Sequence, residues 1–145
     1  MPKDFDKFAK RLQKEIIKKE IEDHNVKIVD FFYNPQNWGI LPNEETTVFE
    51  ELRGGPKEYF LGLYLKIENN LISKAQFVTD GCGVMVATGC QMTLLIKGKS
   101  VEFAEHLRPE DIISALGGIP LGEKHCIDLA IDTLKNAIKK YKIEK

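Results

Sequence analysis

The chain has 145 residues, 43% hydrophobic and 30% charged, and its 21 basic and 22 acidic groups leave a net charge of −1. This is the length and balance of one globular domain, residues 1–145. It argues against disorder and against a nucleic-acid partner gripped by bulk positive charge. The longest nearly apolar stretch, Val84 to Ile96, is thirteen residues, short of the about 20 that a bilayer span needs, so no membrane partner is expected.

Residues 3–22 carry Phe5, Phe8, Leu12, Ile16 and Ile17 at steps of three and four, the apolar stripe of a helix. A short apolar piece, Val26 to Tyr33, stops before Asn34-Pro35, because a residue before proline avoids helical geometry. Residues 34–57 hold Pro35, Gly39, Pro42, Gly54, Gly55 and Pro56 and read as a loop region with an edge strand at Thr46 to Leu52. The apolar period then becomes two. Phe60 to Ile67 and Leu71 to Thr79 form a hairpin around Glu68-Asn69-Asn70, since asparagine tolerates the left-handed geometry of such turns.

A helix from about Val84 to Lys97, closed by Gly98, is apolar on almost every face and is expected at the centre of the core. A short helix follows with Ser100 as its N-cap. Another has Pro109 at its first position and ends at Gly117-Gly118. The last helix, about Glu123 to Tyr141, is amphipathic. The whole reads as α+β, a small antiparallel sheet of about three strands packed with helices.

The three cysteines stand at 82, 90 and 126. An odd, sparse set in a chain that opens without an apolar signal core reads as reduced thiols in the cytoplasm. Cys82 sits in Asp80-Gly81-Cys82-Gly83, where a strand turns into a helix. Cys126 follows His125 in the first turn of the last helix. Free N–H groups and the positive dipole end favour thiolate at such places, so both thiols are expected to be acidified. Thiolate binds soft metals, and an adjacent imidazole adds a nitrogen donor. Cys90 is expected to be core, His24 and His106 solvated, and Met85 and Met92 packing.

The segment Thr79-Asp80-Gly81-Cys82-Gly83-Val84-Met85-Val86-Ala87-Thr88-Gly89, with Leu95-Ile96-Lys97-Gly98-Lys99-Ser100, resembles the iron–sulfur cluster scaffold family of NifU N-terminal or IscU type. Asn34-Pro35-Gln36-Asn37-Trp38-Gly39 and Gly117-Gly118-Ile119-Pro120 leading to His125-Cys126 match in the same order. The resemblance spans roughly residues 30–141. It implies a three-stranded sheet with packed helices and one exposed site of three cysteines, an aspartate and a histidine.

Cys82 matches the family's second cysteine, and His125 and Cys126 its His-Cys pair. The first cysteine is absent. Lys57 falls at its position and Tyr59 at that of the aspartate, while a one-residue slip would offer Glu58. Glu123 and Lys124 replace the usual lysine and apolar residue before His-Cys, which alters the stretch a chaperone reads in the family. The resemblance implies a non-enzymatic scaffold. Cys82, His125 and Cys126, with Glu58 as a further metal ligand, would hold iron or a nascent [2Fe–2S] cluster, or zinc in the isolated protein. Its partners would be a cysteine desulfurase, apo iron–sulfur acceptor proteins and a chaperone. The alternatives are a metal-free persulfide carrier using Cys82 or Cys126, and a partner-binding module that keeps only the fold.

Overall fold

The period-two run from Leu61 to Ile67 is the spine of the fold. In the computed structural model, which describes residues 26–144, it lies in the middle strand of a three-stranded antiparallel sheet. The strands are β1 (Val48–Gly54), β2 (Tyr59–Glu68) and β3 (Leu71–Thr79), in the order β1-β2-β3. Around them stand α1 (Val26–Tyr33), a 3-10 turn (Asn43–Glu45), α2 (Gly83–Ile96), α3 (Val101–Glu105), α4 (Pro109–Leu116) and α5 (Lys124–Glu144). The helix expected over 3–22 and His24 lie outside the described residues. The expected edge strand is present but runs two residues later, because Thr47 is spent on a side-chain bond: its hydroxyl accepts from the Ile67 amide at 2.8 Å.

Leu61, Leu63, Leu65 and Ile67 point to one face and are buried, as the strand period requires. On β3 the buried residues are Ile72, Ala75 and Phe77, a spacing that breaks parity. A bulge restores it: Lys66 pairs with Lys74 and Ile67 with Ile72, leaving Ser73 as the extra residue. Asn69 and Asn70 turn the hairpin at φ 52° and 66°, the left-handed geometry expected of them.

The buried face of the sheet carries α2 and α5. All ten residues from Val84 to Thr93 are buried, so α2 is the central helix that its sequence suggests. It approaches β3 closely because Gly89 has no side chain. A Cβ there would lie 2.4 Å from the Phe77 ring. Ser100 caps α3 by accepting from the Phe103 amide at 3.0 Å, and Gly117 ends α4 at φ 81°. The stripe of α5, from Ile127 through Leu134 to Ile138, is buried against the sheet and the other helices. Among the described residues no helix is long and apolar enough to cross a membrane.

Candidate metal centre

Two helix starts meet at one end of the sheet. The first is fixed by the end of β3. The Thr79 hydroxyl donates to the Phe60 carbonyl at 2.5 Å, and Asp80 Oδ1 accepts from the Phe60 amide at 2.8 Å. Gly81 then passes so close to Met85 that a Cβ would lie 2.6 Å from its side chain. This brings Cys82 to the N-cap of α2 with extended backbone, φ −76° and ψ −178°. Its sulfur closes no regular cap hydrogen bond, but the first-turn amides of Met85 and Val84 stabilise negative charge on it.

The second start is α5. Gly122 turns the chain at φ 85°, the Glu123 carbonyl accepts from the Cys126 amide at 3.1 Å, and Cys126 enters the core fully buried. Its S–H faces two acceptors, the Cys82 sulfur and Glu123 Oε2 at 3.6 Å. The donor atoms of Cys82, Glu123 and Cys126 lie within 4.8 Å of one another.

The two thiols share one proton. Donation from Cys126 is the main reason that the Cys82 thiol falls to about 5, with the helix amides adding to it. The same contact, reinforced by burial, pushes the Cys126 thiol far up. The expectation of two acidified thiols is therefore corrected. Cys82 is a half-buried thiolate and Cys126 a buried thiol, because one sulfur stabilises the charge on the other. Cys90 is fully buried and its thiol is pushed up to about 11 by burial, while its sulfur accepts from the Gln36 amide at 3.2 Å.

His125 stands beside this group. Its Nδ1 lies 3.1 Å from the Gly122 carbonyl, so Nδ1–H donates there, and Nε2 on the other side of the ring is 3.7 Å from Glu123 Oε2. The β1–β2 turn lies across the ring: a Cβ on Gly55, at φ +80°, would come within 2.7 Å of His125 Cδ2. Glu58 is exposed in that turn at φ 51°, and its carbonyl accepts from Arg53 at 3.2 Å. It stands outside the convergent group, as does the exposed Lys57. His106 is exposed at the end of α3 with Nδ1 2.8 Å from the Glu102 carbonyl, and Met85 and Met92 are core.

Glu123 is the residue that sequence reasoning missed as a donor. It was visible only as a departure at a lysine position. A carboxylate three residues before Cys126, at a helix start, was the available signal. Glu123 and Cys82 also line a cavity of about 210 Å³ whose other walls include Ile28, Val29 and Phe32 of α1. The site thus has a polar floor and an apolar wall.

The fold and site define an α+β domain in which helix starts bring two thiols and a carboxylate together, with an imidazole beside them. Residues 23–145 match the family described as the NifU-like N terminal domain, and the chain belongs to that family. It is 34% identical over 122 residues to the iron–sulfur cluster assembly scaffold protein IscU of Aquifex aeolicus, covering 82% of this chain and 76% of that one. It is 36% identical over 124 residues to the same-named protein of Buchnera aphidicola subsp. Schizaphis graminum, covering 84% and 96%. Its fold resembles a NifU-like protein (N-terminal) from Brucella abortus, with a TM-score of 0.66, 15% identity and coverage of 89% and 99%. It also resembles a putative iron–sulfur cluster assembly scaffold protein for the SUF system of Fervidobacterium islandicum AW-1, with a TM-score of 0.63, 19% identity and coverage of 81% and 98%.

Proposed function

We propose that this protein is a scaffold for iron–sulfur cluster assembly. It holds iron or a nascent [2Fe–2S] cluster as cargo at Cys82, Cys126 and His125 and passes it to apo acceptor proteins. The observation that carries this reading is the meeting of two thiols at the starts of α2 and α5, within 4.8 Å of each other and of a carboxylate. Soft thiolates suit iron, and an imidazole whose other nitrogen is already engaged by a carbonyl is oriented to donate. In this reading the chain holds and hands over.

Sulfur would reach the site from a cysteine desulfurase. A thiolate here would attack the outer sulfur of the desulfurase persulfide, breaking its S–S bond, releasing the desulfurase cysteine as thiolate and leaving a persulfide on this chain. A thiol reductant and ferrous iron would then reduce that persulfide to sulfide, with two electrons per sulfur. Cys82 suits the attack, being half-buried at an open cavity and acidic, whereas Cys126 is enclosed. Loading metal on both thiols requires the loss of the Cys126 proton.

The test is anaerobic reconstitution with ferrous iron, cysteine, a cysteine desulfurase and a thiol reductant, followed by visible absorption and by transfer to an apo-ferredoxin. Wild type is expected to acquire a labile [2Fe–2S] spectrum, and the Cys82→Ala/Cys126→Ala double variant none. Equal iron and sulfide in wild type and the double variant would reject the scaffold reading.

A further inference from the structure

We propose that Glu123 is a direct metal ligand, supplying from the start of α5 the anionic donor that the β1–β2 turn does not provide. The inference rests on the scaffold reading and deepens it by naming the donor set.

Three observations carry it. The carboxylate belongs to the convergent group: the ligand atoms of Cys82, Glu123 and Cys126 fall within 4.8 Å of one another, Oε2 is 3.6 Å from Cys126 Sγ, and it reaches to 3.7 Å from Nε2 of His125, which stands beside the group. The Glu123 side chain is 32% exposed and faces the cavity beside Cys82, so it is partly withdrawn from water while remaining open to an ion. Among the described residues the side chain nearest its carboxylate at ion-pair distance is the His125 imidazole, with no lysine or arginine against it.

The two candidates from the turn lack this placement. Glu58 is exposed and lies outside the donor group, and Lys57, where the family carries cysteine, is exposed as well. A donor set of two thiolates and one carboxylate, with the His125 imidazole beside it, is harder than three thiolates. It favours a single divalent ion such as Fe²⁺ or Zn²⁺ over a tightly held cluster.

Anaerobic Co²⁺ titration of the full chain, with Zn²⁺ competition, tests the assignment, because thiolate-to-Co²⁺ charge-transfer bands and d–d bands report the ligands directly. Wild type is expected to bind one Co²⁺ with tetrahedral d–d bands. Glu123→Gln should bind about 10–100-fold more weakly or worse, with shifted d–d bands, since even an outer-shell loss has that size. Its metal-free melting temperature should match wild type. Glu123→Asp should keep the wild-type band positions, and Glu58→Gln should change neither affinity nor bands.

Failure of wild type to bind Co²⁺ or Zn²⁺ would overturn the metal site itself. Binding by wild type with the same affinity in Glu123→Gln would overturn only the role of Glu123. Weaker binding in Glu123→Gln with unmoved d–d bands would also overturn it, since the residue would then be acting from outside the coordination sphere.

Discussion

The two sulfurs of the site differ more in chemistry than in position. Cys82 receives the Cys126 S–H and two helix amides, so its thiol falls to about 5, and Cys126 beneath it stays protonated. In metal-free protein, iodoacetamide should therefore modify Cys82 first. The rate should rise through about pH 5 and then level off, and Cys126 and Cys90 should lag together. Site-resolved mass spectrometry measures this, and a Cys126 rate equal to that of Cys82 would contradict the shared proton. Stability follows the same proton. Between about pH 5 and the ordinary thiol value near 8.5, the unfolded chain binds more protons at this pair than the native one, so stability rises with pH. Above that range the native state keeps the Cys126 proton that the unfolded chain loses, and the trend reverses. Cys82→Ser should flatten the rise in a urea-melt series across pH.

At the scale of elements, the site depends on how near α2 can come to the sheet. Gly89 packs on Phe77, which is fully buried, and an added methyl would meet that ring at 2.4 Å. Gly89→Ala gains about 1 kcal/mol of helix propensity. Overpacking costs about 1–3 kcal/mol, so the urea midpoint is expected to fall, and Phe77→Leu in the same chain should recover part of the loss. A midpoint that rises would mean that β3 yields without strain. The helix starts were legible from local signals: Ser100 before α3, Pro109 opening α4, and cysteines at the openings of α2 and α5. The β1 boundaries were less so, because the Thr47 side-chain bond is made across the sheet to Ile67 and leaves no mark in the local pattern.

For the whole molecule, the pairing of Cys82 with Cys126 was not readable from spacing. The two stand 44 positions apart without a C-x-x-C motif, and which one is buried depends on how α5 docks. Periodicity placed Cys126 in a first helical turn but could not say that the turn is driven into the core. The same limit hid Glu123, whose role appears only once both helix starts face each other. Because binding favours the folded state alone, Zn²⁺ at 100 times its dissociation constant should stabilise wild type by about 2.7 kcal/mol. The melting temperature should therefore rise with Zn²⁺ in wild type and stay flat in the Cys82→Ala/Cys126→Ala variant; a parallel rise in both would place the metal elsewhere.

The distance between the two sulfur positions along the chain has a further consequence. Even a flexible glycine-rich chain of 44 links would hold its ends about 33–40 Å apart on average, whereas the folded protein holds these donors within 4.8 Å. Under the proposed scaffold role the fold would convert two dilute monodentate ligands into a chelate, and the grip on the ion would be an effective concentration maintained by the docking of α5. Each donor on the α5 side lies within residues 123–126, at the extreme start of that helix. Fraying of that single turn, with the sheet and the remainder of α5 intact, is enough to dissolve the chelate. Under the proposed role, cargo would leave by a motion far smaller than unfolding.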